Sequence, residues 1–210
     1  MAAKGWSGAE KSKNNMKNKT RRIVPFFAAF TLITAADAFA HNPNGKADPM
    51  NASLEALKGA EFEQSFLQQM IQHHRSGIEM AKLASDHTSR AELRQFAEKM
   101  ISKQQAEIDK MTGWLKSWYN ASPKEVANEA ADKDMKMHMS MLSGKKDSDF
   151  DKAFLEMMPK HHHAAVEMTV QAEKKATHPE LRELAATIAK DQQAEVKQLK
   201  DWAQSWFGPA

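Results

Sequence analysis

Three features of the chain predict an all-α fold, a four-helix bundle built from two repeated helical hairpins. The first is composition. The 210 residues include no cysteine, one tyrosine and 14 methionines, and they are rich in Ala, Glu, Lys, Gln and Met, which favour helix. The second is an internal duplication. FEQSFLQQMIQHHRSGIEM, from Phe62, lies over FDKAFLEMMPKHHHAAVEM, from Phe150, at an offset of 88 that holds without a gap to Ser117–Tyr119 and Ser205–Phe207. Roughly a third of the aligned positions are identical, among them Phe66/Phe154, Leu93/Leu181, Gln104/Gln192, Glu107/Glu195, Trp114/Trp202 and Trp118/Trp206. The third is the 3.6-residue spacing of apolar positions within each copy.

The chain opens with a targeting signal. MKNKTRR, from Met16, is a basic segment, IVPFFAAFTLITA is apolar, and Ala38-Phe39-Ala40 is a small-residue cleavage site. Residues 1–40 are therefore expected to be a signal peptide with an upstream extension over 1–15, the alternative being a retained anchor helix. The apolar run is short for a membrane span, so the mature protein is expected to have no stable span, to be periplasmic and to begin at His41. The leader holds seven Lys/Arg and two acidic residues, so the remainder carries 23 basic and 25 acidic side chains, about −2 with His neutral. No basic field is left to attract nucleic acid.

Residues 41–61 form an N-terminal segment, 62–120 the first hairpin, 121–149 a crossover linker and 150–208 the second hairpin. Each hairpin breaks once, at Asp86–Ser89 and at Ala176–Pro179. Ser89-x-x-Glu92 and Thr177-x-x-Glu180 read as capping boxes opening the second helix of each copy. Those helices run to Trp-x-x-x-Trp pairs near Asn120 and Gly208-Pro209, where the rings pack the bundle end or face a metal cation. A linker long enough to cross the bundle suits a ferritin-like arrangement. A two-fold axis would then relate the copies and set their first helices antiparallel.

Along one helical stripe fall Phe66, Met70, His73, Gly77, Met80 and Ala84, with His74 at its edge. Its equivalent is Phe154, Met158, His161, Ala165, Met168 and Ala172, with His162. Histidines on a core-facing stripe need partners, because burying an unsatisfied polar group costs about 1–3 kcal/mol. They are either packed core histidines bonded to a carboxylate or carbonyl, or metal ligands. Met70, His73, His74, Met80, Met158, His161, His162 and Met168 are the metal candidates. Met70 can share an ion with His73 or His74, its i+3 and i+4 neighbours. With the axis near Gly77 and Ala165, His73 would come level with Met168 and His161 with Met80, giving two sites completed by both copies.

The donor types indicate the metal. Di-iron bundles use Glu-x-x-His, which is absent here, whereas Met-x-x-His occurs at Met70–His73, Met135–His138 and Met158–His161. Thioether in place of carboxylate shifts preference towards Cu(I), with imidazole also accepting Cu(II); a blue-copper centre is excluded, since it requires a thiolate. Glu79 and Glu167 are either orienting partners of the histidines or solvated helix charges. MKMHMSM in the linker adds Met135, Met137, His138, Met139 and Met141 as secondary ligands, the alternative being a buried Met-rich helix turn. His163 and, as a mature N-terminus, His41 complete the secondary set.

The twin F-x-x-x-F-L-x-x-M-x-x-HH-x-x-x-x-x-M segments, followed by Q-x-E-[IV] and Trp, resemble domain-of-unknown-function family 305 over about residues 50–208. The resemblance implies a ferritin-like bundle of a kind in which some exported members bind copper. It also implies metal roles for His73, His74, Met80, His161, His162 and Met168. Arg75 against His163 and Ile71 against Pro159 make the halves unequal.

The expected function is that of an exported copper-binding protein in sequestration, trafficking or resistance, not an enzyme, since no catalytic constellation stands out. Its candidate partners are metal ions, a second copy of the chain, and proteins that donate or accept copper. The alternatives are a ferritin-like metalloenzyme with a di-metal or oxygen-handling centre, and a structural or stress bundle without metal.

Overall fold

The computed structural model describes residues 49–126 and 129–208; the leader and His41 lie outside the described residues. The elements are α1 (Pro49–Glu55), α2 (Gly59–His87), α3 (Ala91–Tyr119), α4 (Glu129–Ser143), α5 (Asp147–Lys175) and α6 (Pro179–Phe207). The four long helices have 29 residues each, about 44 Å at 1.5 Å per residue. α2 packs on α3 and α5 on α6 as hairpins, and α2 meets α5 between them. This is the four-helix bundle of two repeated hairpins that the duplication implies.

The contacts at the helix ends set the direction of α2 against α5. Glu63, near the start of α2, accepts hydrogen bonds from Thr177 and His178 just beyond α5. At the far end of α2, His87 Nδ1 contacts the Lys145 carbonyl and Lys146 Nζ donates to the Asp86 carbonyl, just before α5. The two helices are therefore antiparallel. Each hairpin also begins on a left-handed residue at the same repeat position, Gly59 (φ 53°) and Asp147 (φ 48°). Glycine takes that conformation without penalty, and aspartate is among the few other residues enriched there.

Two same-position pairs mark the pseudo-two-fold axis. The rings of His73 and His161 stack with centroids 3.8 Å apart, and Lys103 Nζ pairs with Asp191 Oδ2 at 2.6 Å. The axis thus passes between His73 and His161, not near Gly77 and Ala165 as the small residues suggested. Gly77 instead supplies a slot: a Cβ there would lie 2.8 Å from Gln104 Oε1 and 3.0 Å from His161 Cε1. The missing methyl accommodates a ring and an amide from neighbouring helices, rather than a small residue from the other copy.

The capping boxes do not form. α3 has Arg90 and α6 has His178 at the cap position, neither with a side-chain cap bond. Thr88 Oγ1 accepts from the Arg90 N–H, and the Thr177 hydroxyl donates to Glu63. In the second copy, long-range demand for donors around the buried Glu63 carboxylate overrides the local motif.

One segment, α1, acquires helix that the pattern did not predict, and the linker forms the Met-rich helix given as its alternative, packed on one face only. α1 inserts a fully buried Leu54, and Lys175 Nζ covers the carbonyls of Leu54 and Glu55. α4 occupies the middle of the crossover and packs on both α2 and α5. Among the described residues no helix is long and apolar enough to cross a membrane.

Candidate metal centre

The apolar interior divides into two clusters. One holds Phe62, Phe66, Met70, Met168 and Leu181; the other holds Met80, Phe96, Phe150, Phe154 and Met158. Along α5 the paired histidines fall at the changeover, between Met158 and Ala165, whereas along α2 the first cluster runs past them to Ile78 and the second begins at Met80. Every residue of the two predicted stripes is buried, so the 3.6-residue pattern located the inward face correctly. Antiparallel packing sets Met70 beside the cluster of Met168 and Met80 beside that of Met158. His73 is level with the His161 ring rather than with Met168.

Hydrogen bonding sets the tautomer of all four rings. His74 Nε2–H donates to Glu107 Oε2 and His162 Nε2–H to Glu195 Oε2, both at 2.7 Å. His73 Nε2–H donates to the His161 carbonyl at 2.9 Å. The Ser76 hydroxyl gives its proton to the His73 carbonyl, so its oxygen accepts from His161 Nε2–H at 2.8 Å. A neutral imidazole with its proton on Nε2 carries a lone pair on Nδ1. Those four Nδ1 atoms are buried and have no hydrogen-bond partner, and neither do the amides of Gln104 and Gln192.

His73 and His161 are held neutral, the form that binds metal. Burial lowers His73 from 6.5 to about 3, with the neighbouring His74 acting in the same sense. Burial, and then His73, push His161 well below the ordinary value. Leaving a buried polar atom unpaired costs on the order of 1–3 kcal/mol, which a metal bond would relieve. Carboxylates behind two of the imidazoles match the outer partners that fix a ligating histidine.

The remaining candidates are spread around this centre. Glu79 is exposed, and Glu167 pairs with His163 at 3.3 Å one turn away, both about a third exposed. Glu79 is thus a surface helix charge, and Glu167 is engaged by His163. Met135 and Met139 are half-buried against the Met80 cluster, whereas Met137 and Met141 are exposed. The linker methionines therefore belong to a helix with two different faces. The tryptophans pack the bundle ends: Trp114 stacks on Trp118 and Trp202 on Trp206, and the cation over Trp206 is Arg90, 4.2 Å from the ring.

Glu107 and Glu195, with Gln104 and Gln192, are the polar residues whose part the sequence reading missed. The signal was present: both copies carry Gln and Glu three apart, on the buried stripe of α3 and α6. Among the described residues no three His, Asp or Glu side chains are grouped to hold an ion. An all-oxygen or all-nitrogen cage is thus not formed. The donor set fits a soft ion of low coordination number, for which methionine sulfur can supplement imidazole.

The chain is similar to solved structures described as "CopM in the Cu(I)-bound form" and "CopM in the Ag-bound form (by co-crystallization)". The first is 31% identical, covering 70% of this chain and 98% of that one, with a TM-score of 0.61. The second is 30% identical over 70% and 98%, with a TM-score of 0.60. A DUF305 fragment from Deinococcus radiodurans shares the fold at 23% identity, over 68% and 95% of the two chains, with a TM-score of 0.62. No curated protein matches the chain. The family model described as Domain of unknown function (DUF305) matches residues 6–115 and 79–203, and the chain belongs to that family.

Proposed function

We propose that this protein is an exported copper-binding bundle, without enzymatic activity, that sequesters or hands on copper, with Cu(I) preferred and Cu(II) accepted by imidazole. The carrying observation is the set of four buried imidazoles whose Nδ1 atoms have no partner. His73, His74, His161 and His162 would act as ligands with no three of them on one ion, and Met70, Met80, Met158 and Met168 would supply the thioether donors. The copper- and silver-bound forms of CopM support the choice of metal. The leader pattern of residues 1–40 supports export.

Titration of the purified protein with Cu(I), Ag(I), Cu(II), Zn(II) and Fe(II) tests the reading. Cu(I) and Ag(I) should bind most tightly. Leucine at Met70, Met80, Met158 and Met168 should weaken that binding at least tenfold, although Met-to-Leu swaps conserve volume and cost less than about 1.5 kcal/mol each. Selective Fe(II) binding would favour the metalloenzyme. Absence of binding would favour the metal-free bundle, for which the satisfied Nε2–H groups already speak.

A further inference from the structure

α4 sorts its side chains by face. At about 100° per residue, Met141 lies about 40° and His138 about 100° round the helix from Met137. Leu142, Met135 and Met139 follow at about 140°, 160° and 200°. Burial tracks this order. Met137 and Met141 are 50% and 45% exposed, while Leu142 is fully buried. Met135 and Met139 pack against the Met80 and Met158 cluster, and His138 is half-buried at the border between the two faces.

The outward methionines serve no packing role of that kind. With Val170 they are the exposed large hydrophobics of the described residues. A thioether in water neither ionises nor forms a disulfide, but it remains a soft donor. Met137 and Met141 are i, i+4 neighbours and His138 and Met141 are i, i+3 neighbours, so all three can reach one point. The helix carrying them lies across α2 and α5, which bear the buried histidine pairs. α4, which carries His138, packs directly on α5, which carries His161.

We propose that Met137, Met141 and His138 form a solvent-facing capture site for a soft monovalent ion, Cu(I) or Ag(I), and that His138 passes the ion inward to the buried histidines. The proposal rests on the copper reading above and adds its route of entry. Transfer is ligand exchange at constant oxidation state. A bond to His161 Nδ1 forms as bonds to the thioethers of Met137 and Met141 break, with the His138 imidazole holding the ion between them. No proton or electron is consumed, because thioether and neutral imidazole are donors without deprotonation.

Two measurements on the full-length protein test it. With methionine methyls labelled with carbon-13, Ag(I) titration should shift the Met137 and Met141 signals as well as those of the buried methionines. In stopped-flow mixing with the coloured Cu(I)–bicinchoninate complex, Met137→Leu/Met141→Leu should take up one ion fewer per chain. It should also fill the remaining sites at least tenfold more slowly. His138→Gln should keep the Met137 and Met141 response to Ag(I) but show the same slow filling. All three positions are at least partly exposed, and circular dichroism confirms that the helices persist. Unmoved Met137 and Met141 signals, or wild-type uptake and rate in both variants, would overturn the capture site while leaving buried copper binding intact. A wild-type protein that takes up neither ion would overturn the copper reading, and the capture site with it.

Discussion

The two ends of the bundle occupy the same repeat positions but satisfy them differently. At one end the buried Glu63 carboxylate accepts from the Tyr119 hydroxyl, from both the hydroxyl and the N–H of Thr177, and from the backbone and ring of His178. His178 in turn stacks on Trp118 at 3.8 Å. At the other end the equivalents are Asp151, Phe207 and Arg90. Arg90 Nε reaches Asp151 Oδ2 at 3.0 Å and its guanidinium covers Trp206, but Asp151 Oδ1 is buried without a partner. A side chain shorter by one methylene and a ring without a hydroxyl account for the deficit. Both ends keep a buried carboxylate, a loop side chain able to carry positive charge and a tryptophan face. Arg90 is permanently charged, and His178 is charged only when protonated.

The largest expected effect comes from the carboxylates. Glu63→Gln leaves several donors facing an amide and should cost about 3–5 kcal/mol, the range for breaking a buried charged pair. Asp151→Asn, which loses fewer bonds, should cost about 1–3 kcal/mol. Urea unfolding of the two variants reads the difference, and equal losses would remove the asymmetry between the ends.

Acid should separate the ends next. Although burial opposes ionisation, the bonds from Tyr119, His178 and Thr177 hold the Glu63 carboxyl down from 4.5 to about 2. A carboxyl depressed in the folded state stabilises the fold above its unfolded value and loses that contribution as pH falls through the folded one. The Glu63 contribution is therefore complete above pH 4.5 and fades towards pH 2. His73, buried neutral with its value lowered from 6.5 to about 3, acts in the same sense, since the unfolded chain takes up the proton first. The Glu63 part is thus read as the difference between wild type and Glu63→Gln below pH 4.5. That difference should shrink with acid, and a constant gap would show that the carboxylate is not the titrating group.

The smallest and sharpest test exchanges the rings. Tyr119→Phe copies the deficient end and should cost about 1–2 kcal/mol through a lost charge-assisted hydrogen bond. Phe207→Tyr offers Asp151 the missing hydroxyl and should be neutral or stabilising by about 1 kcal/mol or less. Thermal melts of both variants decide whether one hydroxyl accounts for the contrast.

Much of this molecule could be read from its residues, for identifiable reasons. The duplication exposed four long helices because the same 3.6-residue stripe recurs at a fixed offset. Those stripes carried Met70, His73, Met80 and their equivalents inward as expected. Other features depend on what meets across the chain. Glu107 and Glu195 lie 33 residues from their histidines, so only hairpin closure reveals them. The position of the axis depends on whether Gly77 faces a ring or another small residue, which spacing alone does not decide. α4 was obscured by the strict alternation of MKMHMSM, a period-2 pattern in a helix whose faces differ in burial. The capping boxes misled because Thr177 meets a distant carboxylate instead of its own helix.

The order in which the histidines are engaged has a consequence for assembly. His74–Glu107 and His162–Glu195 close within a hairpin, whereas His73 meets His161 only across 88 residues, between hairpins joined by the crossover. Two chains that traded second hairpins would therefore rebuild both His–Glu pairs unchanged and restore the His73–His161 stack across the chain boundary. Such a domain-swapped dimer would contain two copies of the same histidine centre. The crossover would then act as its hinge, and shortening that segment would be the means of forcing the exchange.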